Sequence, residues 1–180
     1  GSSLRFGKLY HSGDSSTYHM TLDSTSGTTA DLNLSGRFRS SLHPAFSLDA
    51  DGGQSNIGTS ATKITYSSSP TIGRNQSSCY DTTNDRFVAP VDGMYHFYAR
   101  HWFVPNASGT VTLLLYRNGG QIKESRFSSQ SNGDYNTVQL STTIFLSANS
   151  YIEVFGVSSS GSNFHVSSGS FHTEFSGFMV

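Results

Sequence analysis

Seven histidines are the first residues of this chain that could do chemistry: His11, His19, His43, His96, His101, His165 and His172. A metal centre would need them clustered, as His-x-His or His-Glu-x-x-His spacing does, and neither pattern occurs. His96 and His101 stand five apart in a stretch that reads as a strand, so they point to opposite faces. Three copies of one histidine could meet on a rotation axis, but hydrogen-bonded or interfacial polar roles account for them more simply. The run Asp49-Ala50-Asp51-Gly52-Gly53-Gln54-Ser55-Asn56 carries closely spaced oxygen ligands of the kind calcium takes. It lacks the later glutamate and third acidic position of an EF-hand, so a calcium pair at Asp49 and Asp51 stands against an ordinary Asp/Gly turn.

Nucleophile chemistry finds no arrangement to support it. There is no Gly-x-Ser-x-Gly elbow, no phosphate-cradling glycine loop and no Cys/His pair at a readable spacing. Glycosidases need two facing carboxylates. Only Glu153 and Glu174 lie in aromatic-rich segments, and strand spacing favours structural roles for both. The single cysteine, Cys79, excludes an internal disulfide framework and reads as a partly buried, inert thiol. No catalytic residue is assigned, and the chain is not expected to be an enzyme.

The elements that would position these residues are strands. At 180 residues the chain is long enough for one domain with a real core, or a domain plus an appendage. Aromatic residues make up 13% and charged residues only 13%, with Ser, Thr, Gly and Asn filling the rest, which favours short strands joined by turns over helices. A formal charge of −1 without a basic cluster argues against a nucleic-acid partner. No run of eighteen apolar residues is present, so no membrane insertion by a helix is expected.

Residues 1–42 hold three strand candidates, at 6–10, 18–22 and 28–38, which are too few and too short to make a core alone. They read as a stalk or collar. The main body, 43–180, begins near His43-Pro44-Ala45-Phe46 and carries further strand candidates at 62–66, 85–89, 94–104, 110–117, 121–127, 136–146, 151–157, 163–167 and 171–180. Turn signals such as Asp51-Gly52-Gly53, Asn118-Gly119-Gly120 and Asn132-Gly133 separate them, the pattern of an antiparallel sandwich. Asn118-Gly119 predicts a tight hairpin.

The strand over 94–103 holds large rings on both faces: Tyr95, Phe97, Ala99, His101 and Phe103 on one, Met94, His96, Tyr98, Arg100 and Trp102 on the other. The closing strand is also two-sided, with Phe175 opposed to Phe178 and Val180, whereas 137–146 is closer to one-sided. A sheet with one wet face would alternate apolar and polar. Two-sided aromatic strands need a second buried surface, and self-association supplies one. The expected contact between copies is therefore Met94, His96, Tyr98, Arg100, Trp102, Phe178 and Val180.

Two strings carry a family resemblance. They are Tyr80-Asp81-Thr82-Thr83-Asn84-Asp85-Arg86-Phe87-Val88-Ala89-Pro90-Val91-Asp92-Gly93-Met94-Tyr95-His96-Phe97, read as turn, short strand, Pro/Gly corner and long strand, and the closing Phe175-Ser176-Gly177-Phe178-Met179-Val180. Together they resemble the globular head of complement component 1q and its tumour-necrosis-factor-like relatives, over roughly 43–180. Pro44-Ala45-Phe46-Ser47 and the segment Leu146–Val154 are similar to further parts of that pattern. Two departures stand out: Ala89 replaces a cysteine common in vertebrate members, and Ala99 replaces an aromatic residue.

The resemblance implies an all-β, ten-stranded antiparallel jelly roll that packs as a homotrimer and works as a binding head. It implies packing roles for Tyr80, Phe87, Pro90, Tyr95, Phe97 and Phe175, a corner role for Gly93 and a space-giving role for Gly177. Some relatives bind calcium near the top of the trimer. Loops 105–109, 128–136 and 158–163, with Asn106, Ser108, Asn132, Tyr135 and Ser160, are the expected ligand-binding tips. The Ser/Thr/Gly-rich opening segment, the missing disulfides and the absence of a Gly-x-y repeat from the sequence point to the receptor-binding tip of a phage tail fibre or virion fibre. Such a tip would sit extracellularly or on a virion surface and recognise a host-surface glycan or protein. The alternatives are a secreted pattern-recognition or cytokine-like module and a purely structural trimerisation cap.

Overall fold

Regular alternation of rings along residues 93–104 gives the longest strand, and the other strands assemble around it. The computed structural model describes residues 43–49, 54–66, 74–104, 109–129, 136–159, 164–166 and 172–180, so the expected stalk at 1–42 lies outside the described residues. By its contacts the chain divides after Arg39, into Gly1–Arg39 and Ser40–Val180, and the strands belong to the second unit.

Thirteen strands lie among the described residues: β1 Ala45–Leu48, β2 Gln54–Ile57, β3 Thr62–Lys63, β4 Arg74–Gln76, β5 Tyr80–Asp81, β6 Arg86–Val88, β7 Gly93–Val104, β8 Gly109–Arg117, β9 Gly120–Ser129, β10 Asn136–Leu146, β11 Tyr151–Ser158, β12 Phe164–Val166 and β13 Thr173–Met179. They make two antiparallel sheets. One runs β2-β12-β7-β13-β1-β4, with β10 on the free side of β7; the other runs β5-β6-β11-β8-β9, with β3 also on β11. The architecture is the expected jelly-roll sandwich, with short strands added to the ten expected.

Rings fill the space between the sheets. Phe46, Phe87, Tyr95, Phe97 and Phe175 are all buried. Phe46 meets Phe175 edge-on at 4.8 Å between centroids, and Phe87 meets Phe97 at 5.0 Å and Tyr95 at 5.2 Å. Such offset and edge-to-face pairs each add about 0.5–1.5 kcal/mol beyond the area they bury. Tyr95 reaches the rim with its hydroxyl and donates to the Val91 carbonyl at 2.8 Å.

Turn chemistry follows the sequence. Asn118 (φ 51°) and Gly119 (φ 80°) both take left-handed backbone, as a two-residue hairpin requires. Asp81 organises the next turn by accepting from the Thr83 and Asn84 amides at 3.1 Å and from the Asn84 side chain at 2.7 Å. The Asn84 side-chain hydrogen bond is the chief reason the Asp81 carboxyl is held below its ordinary range.

Several expectations need correcting. Tyr80–Asp81, read as part of a turn, pairs with Arg86–Phe87 as β5, and the turn falls at Thr82–Asp85. The strand expected over 62–66 is regular only at Thr62–Lys63, although the Ile64 amide, donating to the Val154 carbonyl at 2.9 Å, carries the pairing with β11 one residue further. Gly93 has no left-handed backbone. A Cβ there would meet the Met179 Cε at 2.6 Å, so the residue provides space at the start of β7 rather than a special turn. Gly177 also provides space, but against rigid groups: a Cβ would lie 2.7 Å from Phe97 Cδ1 and 2.8 Å from Phe46 Cε1.

Candidate functional site

The outer face of the β10–β7–β13–β1 layer gathers the side chains singled out for contact between copies. Alternation along β7 sends Tyr95, Phe97, Ala99, His101 and Phe103 into the core and leaves Met94, His96, Tyr98, Arg100 and Trp102 outward. Register then lines these up with their neighbours. Met94 lies opposite Phe145 on β10, and its carbonyl accepts from the Val180 amide at 2.9 Å. His96 lies between Thr143 and Phe178, Tyr98 between Ser141 and Ser176, and Arg100 between Gln139 and Glu174.

The resulting surface is graded. One end is apolar, with Met94 43% exposed, Phe145 53%, Phe178 48% and Val180 71%. In the middle, His96 Nδ1 sits 3.0 Å from Thr143 Oγ1 with its ring 5.4 Å from that of Phe178, and Tyr98 donates to Gln139 Oε1 at 3.1 Å. At the far end Trp102 stacks on His172 with centroids 3.9 Å apart. Phe145 was missed in the sequence because it ends an otherwise polar series, Gln139, Ser141 and Thr143; its cross-strand register with Met94 is the signal that would have found it.

The remaining residues singled out in the sequence fall elsewhere. Asn106, Ser108, Asn132, Tyr135 and Ser160 lie outside the described residues, as do Asp51, His11 and His19. Asp49 is buried at the end of β1, and no group of three or more His, Cys, Asp or Glu suited to a metal occurs among the described residues. Glu174 lies in the outward row opposite Arg100, while Glu153, on the other sheet, is bonded to Lys63 Nζ at 2.5 Å, so the two carboxylates do not pair.

The histidine that departs furthest from ordinary surroundings is His101, only 1% exposed between the sheets. Its Nε2 lies 2.8 Å from the Tyr66 hydroxyl, and its Nδ1, like the buried Tyr80 hydroxyl, has no hydrogen-bond partner among the described residues. Burial, reinforced by the Arg100 charge, pushes its pKa down to about 3. Burial likewise raises the Tyr66 hydroxyl well above its usual value. A neutral imidazole locked this way braces the core and is not placed to exchange protons with a ligand.

Cys79 is buried, and burial pushes its thiol up to about 11. The native protein is expected to give no fast thiol titration with a disulfide reagent at pH 8, and one equivalent after denaturation. Rapid native labelling would contradict the inert assignment.

A family model described as the C1q domain matches residues 45–180. Among solved structures, murine APRIL in its crystal structure at pH 5.0 aligns with a TM-score of 0.59 and 16% identity over 77% of this chain and 99% of that one. Eiger TNF from S. frugiperda aligns with a TM-score of 0.59 and 12% identity over 77% of this chain and 92% of that one. At these identities the two structures speak for the fold alone. No curated protein matches the chain significantly. The matched span takes in every described strand from β1 to β13, and the chain belongs to the C1q domain family, with a fold shared by tumour-necrosis-factor-like proteins.

Proposed function

We propose that residues 43–180 form a homotrimeric, non-enzymatic binding head. The contact between copies is the outer face bearing Met94, His96, Tyr98, Arg100, Trp102, Phe178 and Val180, extended by Phe145. Domains of this family are typically trimeric binding or cytokine-like modules outside cells, which supports self-association and a receptor partner. The observation that carries the reading is the apolar end of that face: four large side chains between 43% and 71% exposed, side by side on one sheet. Adjoining exposed apolar side chains of this kind mark a protein contact rather than a solvated wall.

The finer reading is a receptor-binding tip of a phage tail fibre or other virion fibre, with residues 1–42 as its stalk. The loops carrying Asn106, Ser108, Asn132, Tyr135 and Ser160 would recognise a host-surface glycan or protein. Its support is the Ser/Thr/Gly-rich composition of the opening segment and the single, buried cysteine.

Light scattering on the chain, with and without EDTA, tests the first part. A species near three times 19.5 kDa is expected, and Phe178→Glu should convert it to a folded monomer. A wild-type monomer overturns the trimer. Dissociation on chelation would add a metal to the assembly and bring Asp49 and Asp51 forward. Binding of the trimer to glycan arrays and bacterial cells tests the second part. Silence in both would favour a structural cap, and selective binding to animal-cell receptors the cytokine-like alternative.

A further inference from the structure

The outer face of the other sheet is built of rings and paired charges. Ile152 and Val154 on β11, and Leu113 and Leu115 on β8, point into the core, so alternation turns Glu153, Phe155, Leu114 and Tyr116 outward. Register puts Tyr116 opposite Glu153 and Leu114 opposite Phe155. The Tyr116 and Phe155 rings therefore meet on the diagonal, with centroids 4.4 Å apart and planes 38° apart. From the other side of β11, Lys63 on β3 pairs with Phe155 and holds its Nζ 6.0 Å from the centre of that ring.

Glu153 stands on an outward row yet is only 8% exposed. One of its carboxylate oxygens is engaged: Oε1 accepts from Lys63 Nζ, while Oε2 makes no hydrogen bond among the described residues. Lys63 donates to that Oε1 and to the Asn84 carbonyl at 3.0 Å, which leaves the third N–H of its ammonium unspent. A carboxylate this buried is costly to leave half-satisfied. A free acceptor and a free donor thus stand side by side at the foot of a ring platform.

Charge decides which ligand fits. Among the described residues, every cation on an outward row of this sheet is already paired: Lys63 with Glu153, Arg86 with Asp81 at 3.3 Å, and Arg126 with Glu124 at 3.0 Å. An anionic ligand finds no spare positive charge here and meets the Glu153 carboxylate. A cationic ligand finds the place beside Glu153 and Phe155 taken by Lys63. What remains complementary is a neutral molecule with an apolar face for the rings and neighbouring hydroxyls. One hydroxyl donates to Glu153 Oε2 and the next accepts from Lys63 Nζ; a pyranose ring offers both features.

We infer that the Tyr116/Phe155 platform, with Glu153 and Lys63 at its foot, is a subsite for a neutral pyranose of a glycan. This rests on the glycan reading proposed above and puts recognition on a sheet face as well as on the loop tips.

Saturation-transfer NMR and titration of the intact chain with short neutral oligosaccharides of glucose, galactose and mannose, beside a heparin tetrasaccharide, test the subsite. A neutral sugar is expected to bind and heparin not, with affinity unchanged between about 0.05 and 0.5 M NaCl. Tyr116→Ala should weaken binding about tenfold or more, and Tyr116→Phe should keep it within about threefold. The near-isosteric Glu153→Gln should weaken it about fivefold, and it decides alone if Tyr116→Ala does not fold. Circular dichroism and solution mass should match wild type in each variant used. Equal binding by wild type, Tyr116→Ala and Glu153→Gln overturns the subsite and leaves the glycan reading to the loops. Heparin bound in preference to the neutral sugars overturns the neutral class. Binding of none of these probes also overturns the subsite, whereas the glycan reading itself falls only if the arrays and cells are silent too.

Discussion

Phe97→Ala is expected to remove about 3–5 kcal/mol of folding free energy, the range for truncating a fully buried ring. Phe97 is fully buried and touches both layers: its ring stands 5.0 Å from Phe87, and 6.3–6.4 Å from Phe175, Phe46 and Tyr95. It also lies against Gly177, whose missing side chain lets the ring approach the β13 backbone. Alanine leaves a hollow walled by other rings, which cannot collapse into it because each is held by its own strand. In urea at fixed protein concentration the midpoint should fall sharply. Phe127→Ala, at a residue 36% exposed on the edge strand β9, should lose far less. Equal losses would show that the ring cluster is not the energetic centre of the sandwich.

Acid should open the head through His101. An ordinary histidine takes up its proton near pH 6.5 when unfolded, but in the folded head burial holds that event down to about pH 3. The unfolded chain therefore binds a proton that the folded chain refuses between these limits. Stability is full above about pH 6.5, falls as pH drops toward 3, and loses no more from this group below that. The complete loss is on the order of 5 kcal/mol, comparable with the whole stability of a small domain. The groups packed around the imidazole cannot relieve it: Tyr66 already engages Nε2, Thr173 and Val138 flank it in register, and Arg100 next to it is a like charge. Unfolding free energies of wild type and His101→Gln, measured at intervals from pH 7 to pH 3, should diverge at neutral pH and converge in acid. Parallel curves would remove His101 as the cause. Asp81, whose carboxyl is held low by Asn84, contributes to both curves and cancels in the difference.

How far the sequence could be read depended on whether side-chain pattern or backbone pairing makes a strand. β7 was legible because Met94 to Phe103 alternate outward and buried positions, with rings on both faces, and the β8–β9 hairpin because Asn118 and Gly119 leave few other conformations. β2, with Gln-Ser-Asn-Ile, and β4, with Arg-Asn-Gln, have no apolar period at all. They are strands because each adds to an edge that already exists, β12 for one and β1 for the other. Much of the outward face was legible by parity once β7 was placed. The β1 part of that face was not, since it is set by a pairing with β13 that spans almost the whole head. The Tyr66–His101 contact joins residues 35 positions apart and leaves no local trace.

That same pairing has a consequence for biosynthesis. β1 is the first strand of the head to leave the ribosome, and its partner β13 is the last. At elongation rates of about 5–20 residues per second, Phe46 and the inner face of β7 wait on the order of ten seconds for Phe175 to arrive and cover them. No intermediate length of nascent chain can close the central sheet, so the head folds as a unit after its final strand emerges. During that interval the exposed rings of neighbouring chains on one polysome are the nearest available partners. Premature association is the hazard this strand order creates, and slowing translation over 93–146 would aggravate it.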